Sequence, residues 1–331
     1  MNFLISTDLH LSDRPRDAYR FGLFKWIIKQ QEKYNIDATF FLGDMTENKD
    51  RHSSTLVNKI IDELTGLEPP IYILRGNHDG TSPNSPFFKF LNCIEGLRFI
   101  IQPTYNKKLD TVFMPHCASQ AIFDSACKEM PHKPNMFLAH NTFDGAVAET
   151  GARLTGLQAS PIEALKPARV YAGDVHVPQQ CGPVAYVGAP YHVRFGDCFT
   201  PRVLLIKNNQ ETDLHFDCPR KLTLSVHDAK DIVNNCELRR GDQVKLIIET
   251  PREDATGWQA NKNRILAACR DLGLEVFGVE LKLNEPTELK HIKPEEYPHK
   301  KSPRDILKLY CKAESTPANI RQAGFDLLGD K

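Results

Sequence analysis

Ile71-Tyr72-Ile73-Leu74-Arg75-Gly76-Asn77-His78-Asp79 is an apolar run that breaks, after one spacer, into an amide, an imidazole and a carboxylate. In an α/β sheet the loops beyond the carboxyl ends of strands are where sites form, so this trio is expected at a sheet edge. Four further segments share the pattern and follow their apolar runs directly. They are Asp8-Leu9-His10 after Phe3 to Ser6, Gly43-Asp44 after Thr39 to Leu42, His140-Asn141 after Met136 to Ala139, and Gly173-Asp174-Val175-His176 after Val170 to Ala172. A lone Asp-x-His is common in solvated loops, whereas five such segments in order are not a chance pattern.

Carboxylate oxygen, imidazole nitrogen and amide oxygen are what divalent cations accept. Asp44, able to place an oxygen on each of two ions, is the expected bridge. Asp8 and His10, two positions apart in what reads as an extended segment, are expected to project to one side and share an ion. Asn77 offers a neutral oxygen to the other ion, and His140 and His176 complete the set. His78 follows Asn77 at once and is expected to meet substrate instead, stabilising phosphate and protonating a leaving group, a task that suits an imidazole. Such hardware suits hydrolysis of a phosphate ester.

Helix-like spacing of Ala18, Phe21, Phe24, Trp26, Ile27 and Ile28, and of Leu56, Ile60, Ile61 and Leu64, alternates with the strands. Further strands are expected at Phe99 to Ile101, Val112 to Met114, Val203 to Ile206 and Leu214 to Phe216. After Cys218-Pro219-Arg220 a compact pattern begins: strands at Leu222 to Val226 and Val244 to Glu249, a helix from about Gly257 to Leu272, and a strand at Val276 to Leu283. His291 to Pro303, rich in proline and charge, reads as a linker, followed by a helix opened by Pro303 and a last helix from Pro317 to Leu328. The expected organisation is residues 1–218, 219–286 and 287–331.

The 331 residues are 41% hydrophobic and 25% charged, which suits a large globular core. No apolar run approaches the roughly 20 residues needed to cross a bilayer, and the start of the chain lacks a basic leader, so a cytoplasmic protein without a membrane partner is expected. The nine cysteines are scattered, with no C-x-x-C, which argues against a disulfide framework or zinc ribbon and for reduced thiols. A formal charge of zero neither indicates nor excludes nucleic-acid binding.

The five segments together resemble the calcineurin-like metallophosphoesterases, and over residues 1 to about 215 they are similar to the SbcD-type nuclease subunits of SbcCD. The resemblance implies a four-layer α/β/β/α sandwich with a small α/β capping domain and a C-terminal helical tail. It implies two divalent cations, manganese with magnesium as the alternative: Asp8, His10, Asp44 and His176 would hold one, and Asp44, Asn77, His140 and Asp174 the other. His78 matches the family's catalytic histidine. Gly188-Ala189-Pro190 with Arg194-Phe195-Gly196 is similar to the loop after the last metal motif of the SbcD branch. The stretch after Arg220 has the size and element order of its capping domain, and the tail resembles the segment that docks an SbcC-like coiled-coil ATPase. DNA, that ATPase and a second copy of the chain are the partners implied, with a role in DNA repair and recombination as exonuclease or endonuclease.

The chain departs from the family at Asp174, where Gly-His-x-His is usual, and after Asp44, where Met45-Thr46-Glu47 stands. An aspartate keeps an oxygen ligand and favours manganese or magnesium over zinc. His192 and Arg194, in a Gly/Pro loop, are candidate phosphate contacts. Glu47, His52 and His116 are expected as loop polars, and Lys300, Lys301, Arg304 and Lys308 as a solvated helix start. Two other readings use the same residues: a phosphatase or cyclic-nucleotide phosphodiesterase with the same metal centre, and a catalytically silent scaffold, for which Asp174 is the argument.

Overall fold

A computed structural model describes residues 1–82, 84–284 and 303–313, and beyond these 317, 318, 320–322 and 325. Strands β1 (Phe3–Ser6), β2 (Ala38–Phe41), β3 (Ile71–Leu74) and β4 (Leu97–Ile100) run parallel. β11 (Val203–Lys207) joins β1 antiparallel and β12 (Gln210–Leu214) closes the edge, giving the order β12-β11-β1-β2-β3-β4. The second sheet is built from β5 (Thr104–Asn106), β6 (Thr111–Met114), β7 (Met136–His140), β8 (Arg169–Gly173), β9 (Gln179–Cys181) and β10 (Val184–Tyr186), in the order β5-β6-β7-β8-β10-β9.

Side-chain alternation sorts the layers. Phe3, Ile5, Phe40 and Leu204 meet Phe113, Met136, Leu138 and Tyr171 between the two sheets. Leu4, Phe41, Ile73 and Leu205 turn the other way, onto α1 (Gly22–Tyr34) and α2 (Ser54–Thr65), which supply Phe24, Ile27, Ile60 and Leu64. Val112, Phe137, Ala139 and Val170 pack against Phe123 of α3 (Gln120–Lys128) and Ile162 of α4 (Ser160–Leu165). The result is the expected helix, sheet, sheet, helix sandwich. Phe40 is fully buried between the sheets, where truncation to alanine costs about 3–5 kcal/mol.

A third sheet follows, of parallel strands β13 (Lys221–Val226), β14 (Gln243–Pro251) and β15 (Glu275–Asn284), with α5 (Ala229–Val233) and α6 (Trp258–Asp271) in the connections. Ile265, Ala268 and Cys269 of α6 pack on Val244, Leu246 and Ile248. Lys221 Nζ reaches Asp17 Oδ1 at 2.6 Å, and Gln243 Nε2 donates to the Arg16 carbonyl at 2.7 Å, so the first residues of β13 and β14 clasp the sandwich.

Some elements differ from expectation. The strand expected at Leu214 to Phe216 lies earlier, at Gln210–Leu214, because Asn208 and Asn209 both take positive φ (52° and 64°) and turn β11 back on itself there. Two left-handed residues make the turn a hairpin wants, and Asn is suited to both. Ala18 and Phe21 fall in a 3-10 segment, Pro15–Phe21, ahead of α1. The helix opened by Pro303 is α7 (Pro303–Ala313). The linker around 287–302, with Lys300 and Lys301, lies outside the described residues, as does much of the last expected helix.

Candidate metal centre

The ends of β1, β2, β3, β7 and β8 converge on one cavity of about 330 Å³, lined by His10, Asp44, Asn77, His78, Asp174 and His176 among others. The chain leaves the strands abruptly: Asp8, His10, Asp44 and Asp174 all have positive φ, at 54°, 41°, 52° and 83°. Four non-glycine residues in that region each cost about 1–3 kcal/mol, which the surroundings must hold in place. They do so by joining loops: Asp8 N–H donates to Gly43 O at 3.1 Å, His10 N–H to Asp44 O at 2.9 Å and Leu11 N–H to Met45 O at 2.9 Å. Asp8 and His10 are therefore brought together by left-handed curls, and the expected extended segment is not there. Alternation could not have placed them.

Close backbone approach explains the glycine of the third segment. A Cβ on Gly76 would sit 2.1 Å from Asp44 Oδ1 and 2.5 Å from Asp44 N.

Three groups of donor atoms lie within 4.8 Å of one another: Asp8, His10 and His176; His10, Asp44 and His78; and Asp8, Asp44 and His140. Asp44 is shared, with Oδ1 3.3 Å from His140 Nε2 and Oδ2 3.8 Å from His10 Nε2. One oxygen therefore faces each half of the site, as a bridging carboxylate requires. On one side His10 Nε2 and His176 Nε2 meet at 3.1 Å. On the other, Asn77 Oδ1 and Asp174 Oδ1 lie 3.4 and 3.7 Å from His140 Nε2. Asp174 is held by the Thr142 hydroxyl, which donates to its other oxygen at 2.6 Å. His140 Nδ1 meets the Leu42 carbonyl; a carbonyl only accepts, so Nδ1 carries the hydrogen and Nε2 keeps its lone pair for the site.

The electrostatics follow from crowding carboxylates and imidazoles out of water. Burial disfavours charge on His140, but Asp44, Asp174 and Asp8 outweigh it and raise its pKa to about 10. Burial also works against Asp44, yet His140 and His10 hold its carboxyl well below the usual range. Asp8 is pushed up to about 6, by burial first, and His176 down to about 3, by burial and then by His10. The cluster thus demands positive charge beside Asp44. A proton on His140 and a cation compete for one lone pair, so cation binding here releases protons.

His78 stands at the rim, half-buried, its N–H donating to Asp44 Oδ1 at 2.9 Å. Its Nδ1 donates to Glu47 O at 3.0 Å, which leaves Nε2 as the nitrogen free to exchange a proton. Glu47 is not a solvated loop polar: its carboxylate stands 3.0 Å from His10 Nδ1, and contact with His10 draws its pKa down to about 2. Met45-Thr46-Glu47 after Asp44 carried no ligand spacing that would have signalled this.

Asp79, fully buried, accepts from three backbone N–H groups, those of Asp44 (2.9 Å), Met45 (2.9 Å) and Gly76 (2.7 Å). Its place at the end of Gly76-Asn77-His78-Asp79 was the available clue. Arg20, also buried, donates to the carbonyls of His10 and Val193, and Tyr191 Oη to that of Leu9. Neither was legible without the fold.

Of the remaining candidates, Arg194 lines the cavity and pairs with Glu149 at 3.6 Å. His192 is turned away: it is buried, its ring edges Phe199 and its Nε2 donates to Phe199 O at 3.0 Å. The Gly/Pro loop folds it inward as packing, which corrects its reading as a phosphate contact. His52 packs on Phe87 and Phe88, and His116 lies outside the ligand groups.

One carboxylate (Asp8) and three imidazoles (His10, His140 and His176) around the shared Asp44, with the Asn77 amide and the Asp174 carboxylate beside them, fit a pair of divalent cations by donor chemistry. His176 Nδ1 is buried without a hydrogen-bond partner, and the ring meets His10 both through its ε-nitrogen and edge-on. No helix among the described residues is long and apolar enough to cross a membrane. No curated protein matches the chain. The family model of the calcineurin-like phosphoesterases matches residues 1–178, which include every strand-end segment that builds the cavity, and the chain belongs to that family of metal-dependent phosphoester hydrolases.

Proposed function

We propose that the protein is a DNA phosphodiesterase, the nuclease subunit of an SbcCD-type assembly that works in DNA repair and recombination with two manganese ions and an SbcC-like coiled-coil ATPase. The observation that carries the choice of a polynucleotide is the placement of the third sheet. Lys221 Nζ donates to Val193 O at 3.2 Å, and Phe277 of β15 meets Phe195 at 6.0 Å, so the sheet supports the loop that presents Arg194 to the cavity. A long substrate lying across the rim would touch both. In this reading residues 219–286 are a capping domain and 287–331 a linker and partner-binding tail.

Asp8, His10, Asp44 and His176 would hold one cation, and Asp44, Asn77, His140 and Asp174 the other. When bound, the pair supplies Lewis-acid stabilisation of the charge that develops on the phosphate. His78 is oriented by its Nδ1 hydrogen bond to Glu47 O and gives a proton from Nε2 to the departing sugar oxygen. Arg194 exchanges Glu149 for a phosphate oxygen, a stronger charge-assisted contact than its exposed ion pair.

The test is cleavage of single- and double-stranded DNA by the purified protein with manganese, alone and with an SbcC-like ATPase. His78→Ala should lower the rate at least about 100-fold. DNA left intact in every combination, with phosphate monoesters hydrolysed instead, would sink the nuclease reading and leave a phosphatase.

A further inference from the structure

Next to the metal centre lies a second cavity, of about 320 Å³, and its one buried cation has no acid to pair with. Its walls come from the loops just beyond β3 (Arg75), β4 (Ile101, Gln102, Pro103) and β6 (Pro115, His116), with Ile122 of α3 at its side. Those strands adjoin the ones that carry the ligands: β4 is beside β3 in one sheet, and β6 beside β7 in the other. β3 runs parallel to β4 and β6 to β7, so the two cavities lie at the same end of the sandwich, and with neighbouring strands about 4.8 Å apart they are one or two strand spacings from each other.

Arg75 is only 6% exposed. Its Nη2 donates to the His116 carbonyl, and its Nε is buried with no partner. Among the described residues no carboxylate stands within ion-pairing distance of the guanidinium. Asp79, the nearby acid, already spends its oxygens on Asp44, Met45 and Gly76. Asp79 acts on Arg75 through its field alone, and a guanidinium removed from water without an anion in direct contact is costly, while its planar fork matches phosphate oxygens. Beside Asn84, Gln102 and His116 the lining includes an apolar wall of Ile101, Pro103, Pro115 and Ile122, which suits the flat face of a sugar or base.

We infer that this cavity is a subsite for a neighbouring nucleotide of the substrate: Arg75 takes the phosphodiester next to the scissile one, and the apolar wall takes its nucleoside. The inference rests on the polynucleotide reading above. It adds that a substrate needs a second phosphate to bind in full, so a dinucleotide or longer strand is preferred over a single ester.

The test pairs the charge on the protein with the charge on the strand. Binding of a fluorescent single-stranded oligonucleotide is read by anisotropy in calcium, and each backbone phosphate is replaced in turn by a neutral methylphosphonate. In the parent protein one position should cost about tenfold or more in Kd, the usual worth of a charge-assisted hydrogen bond. Arg75→Gln should bind more weakly and lose little further at that position, because the contact is already gone. Ile122→Glu, on an exposed helix face where folding is not at risk, should weaken binding in a salt-dependent way. Equal methylphosphonate losses in the parent and in Arg75→Gln would overturn the subsite and leave the nuclease reading standing. A parent protein that binds no oligonucleotide would overturn both.

Discussion

Asp79 Oδ2 accepts the backbone N–H of Asp44 at 2.9 Å, so one buried carboxylate that touches no ligand atom fixes the residue on which both halves of the metal centre depend. The same side chain takes the N–H groups of Met45 and Gly76. Asp79→Ala leaves three buried donors unsatisfied and should cost about 3 kcal/mol or more in denaturant unfolding. Asp79→Asn keeps the shape and one acceptor, and should cost less. Equal stability of all three proteins would show that Asp79 does not hold the loop.

Glu47→Gln removes the carboxylate charge 3.0 Å from His10 Nδ1 while keeping the size of the side chain. Partners of this kind set the orientation and basicity of a ligating imidazole, and their loss typically weakens metal affinity by about 10–100-fold. Manganese titration by calorimetry should show weaker binding of the ion that His10 would hold, and the thermal midpoint of the metal-free protein nearly unchanged. An unchanged isotherm would return Glu47 to the status of a loop polar.

Gly76→Ala should separate folding from metal binding. The added methyl meets Asp44 Oδ1 at 2.1 Å, and overpacking of this kind costs about 1–3 kcal/mol. The displaced atom is the Asp44 oxygen that faces His140, so the calorimetric stoichiometry should fall below that of the parent. Two ions bound with parent affinity would show that the loop absorbs the methyl without moving Asp44.

Asp17 gives the protein an acid-labile joint. Burial opposes its charge, but the Arg20 guanidinium and the Lys221 ammonium outweigh burial and lower its pKa in the folded state. A depressed carboxyl contributes stability that is complete above its unfolded pKa of about 3.9 and is lost as pH falls through the lower folded value. Asp17→Asn should therefore be less stable near neutrality and should lose less stability than the parent below about pH 4. Denaturation curves across that range decide it; parallel pH profiles would contradict the assignment.

The five strand-end segments were legible because each is local: a short apolar run and the polar group that ends it are neighbours in sequence. β1 and β3 lie where the apolar runs put them, at Phe3–Ser6 and Ile71–Leu74. What escaped was either conformational or long-range. Nothing in Asp8-Leu9-His10 announces two left-handed residues, because the loop after β2 imposes them through hydrogen bonds. Glu47 and Thr142 stand just after metal segments, but the residues they hold, His10 and Asp174, come from other segments, and Arg20 likewise acts on a residue brought to it by the fold. His192 erred the other way: a histidine in a glycine- and proline-broken loop reads as exposed until the loop is seen to fold it against Phe199.

The ion pair between Lys221 and Asp17 spans 204 positions in sequence and ends, through Arg20, on the carbonyl of His10. Both partners are nearly fully buried, and a buried charge stripped of its mate costs about 3–5 kcal/mol. Anyone building chimeras from this chain and a relative would meet that joint as a compatibility rule. A donor segment that does not bring an amine to the start of its first strand would arrive with the wrong key, and the mismatch would be felt at the metal centre before it was felt in substrate choice.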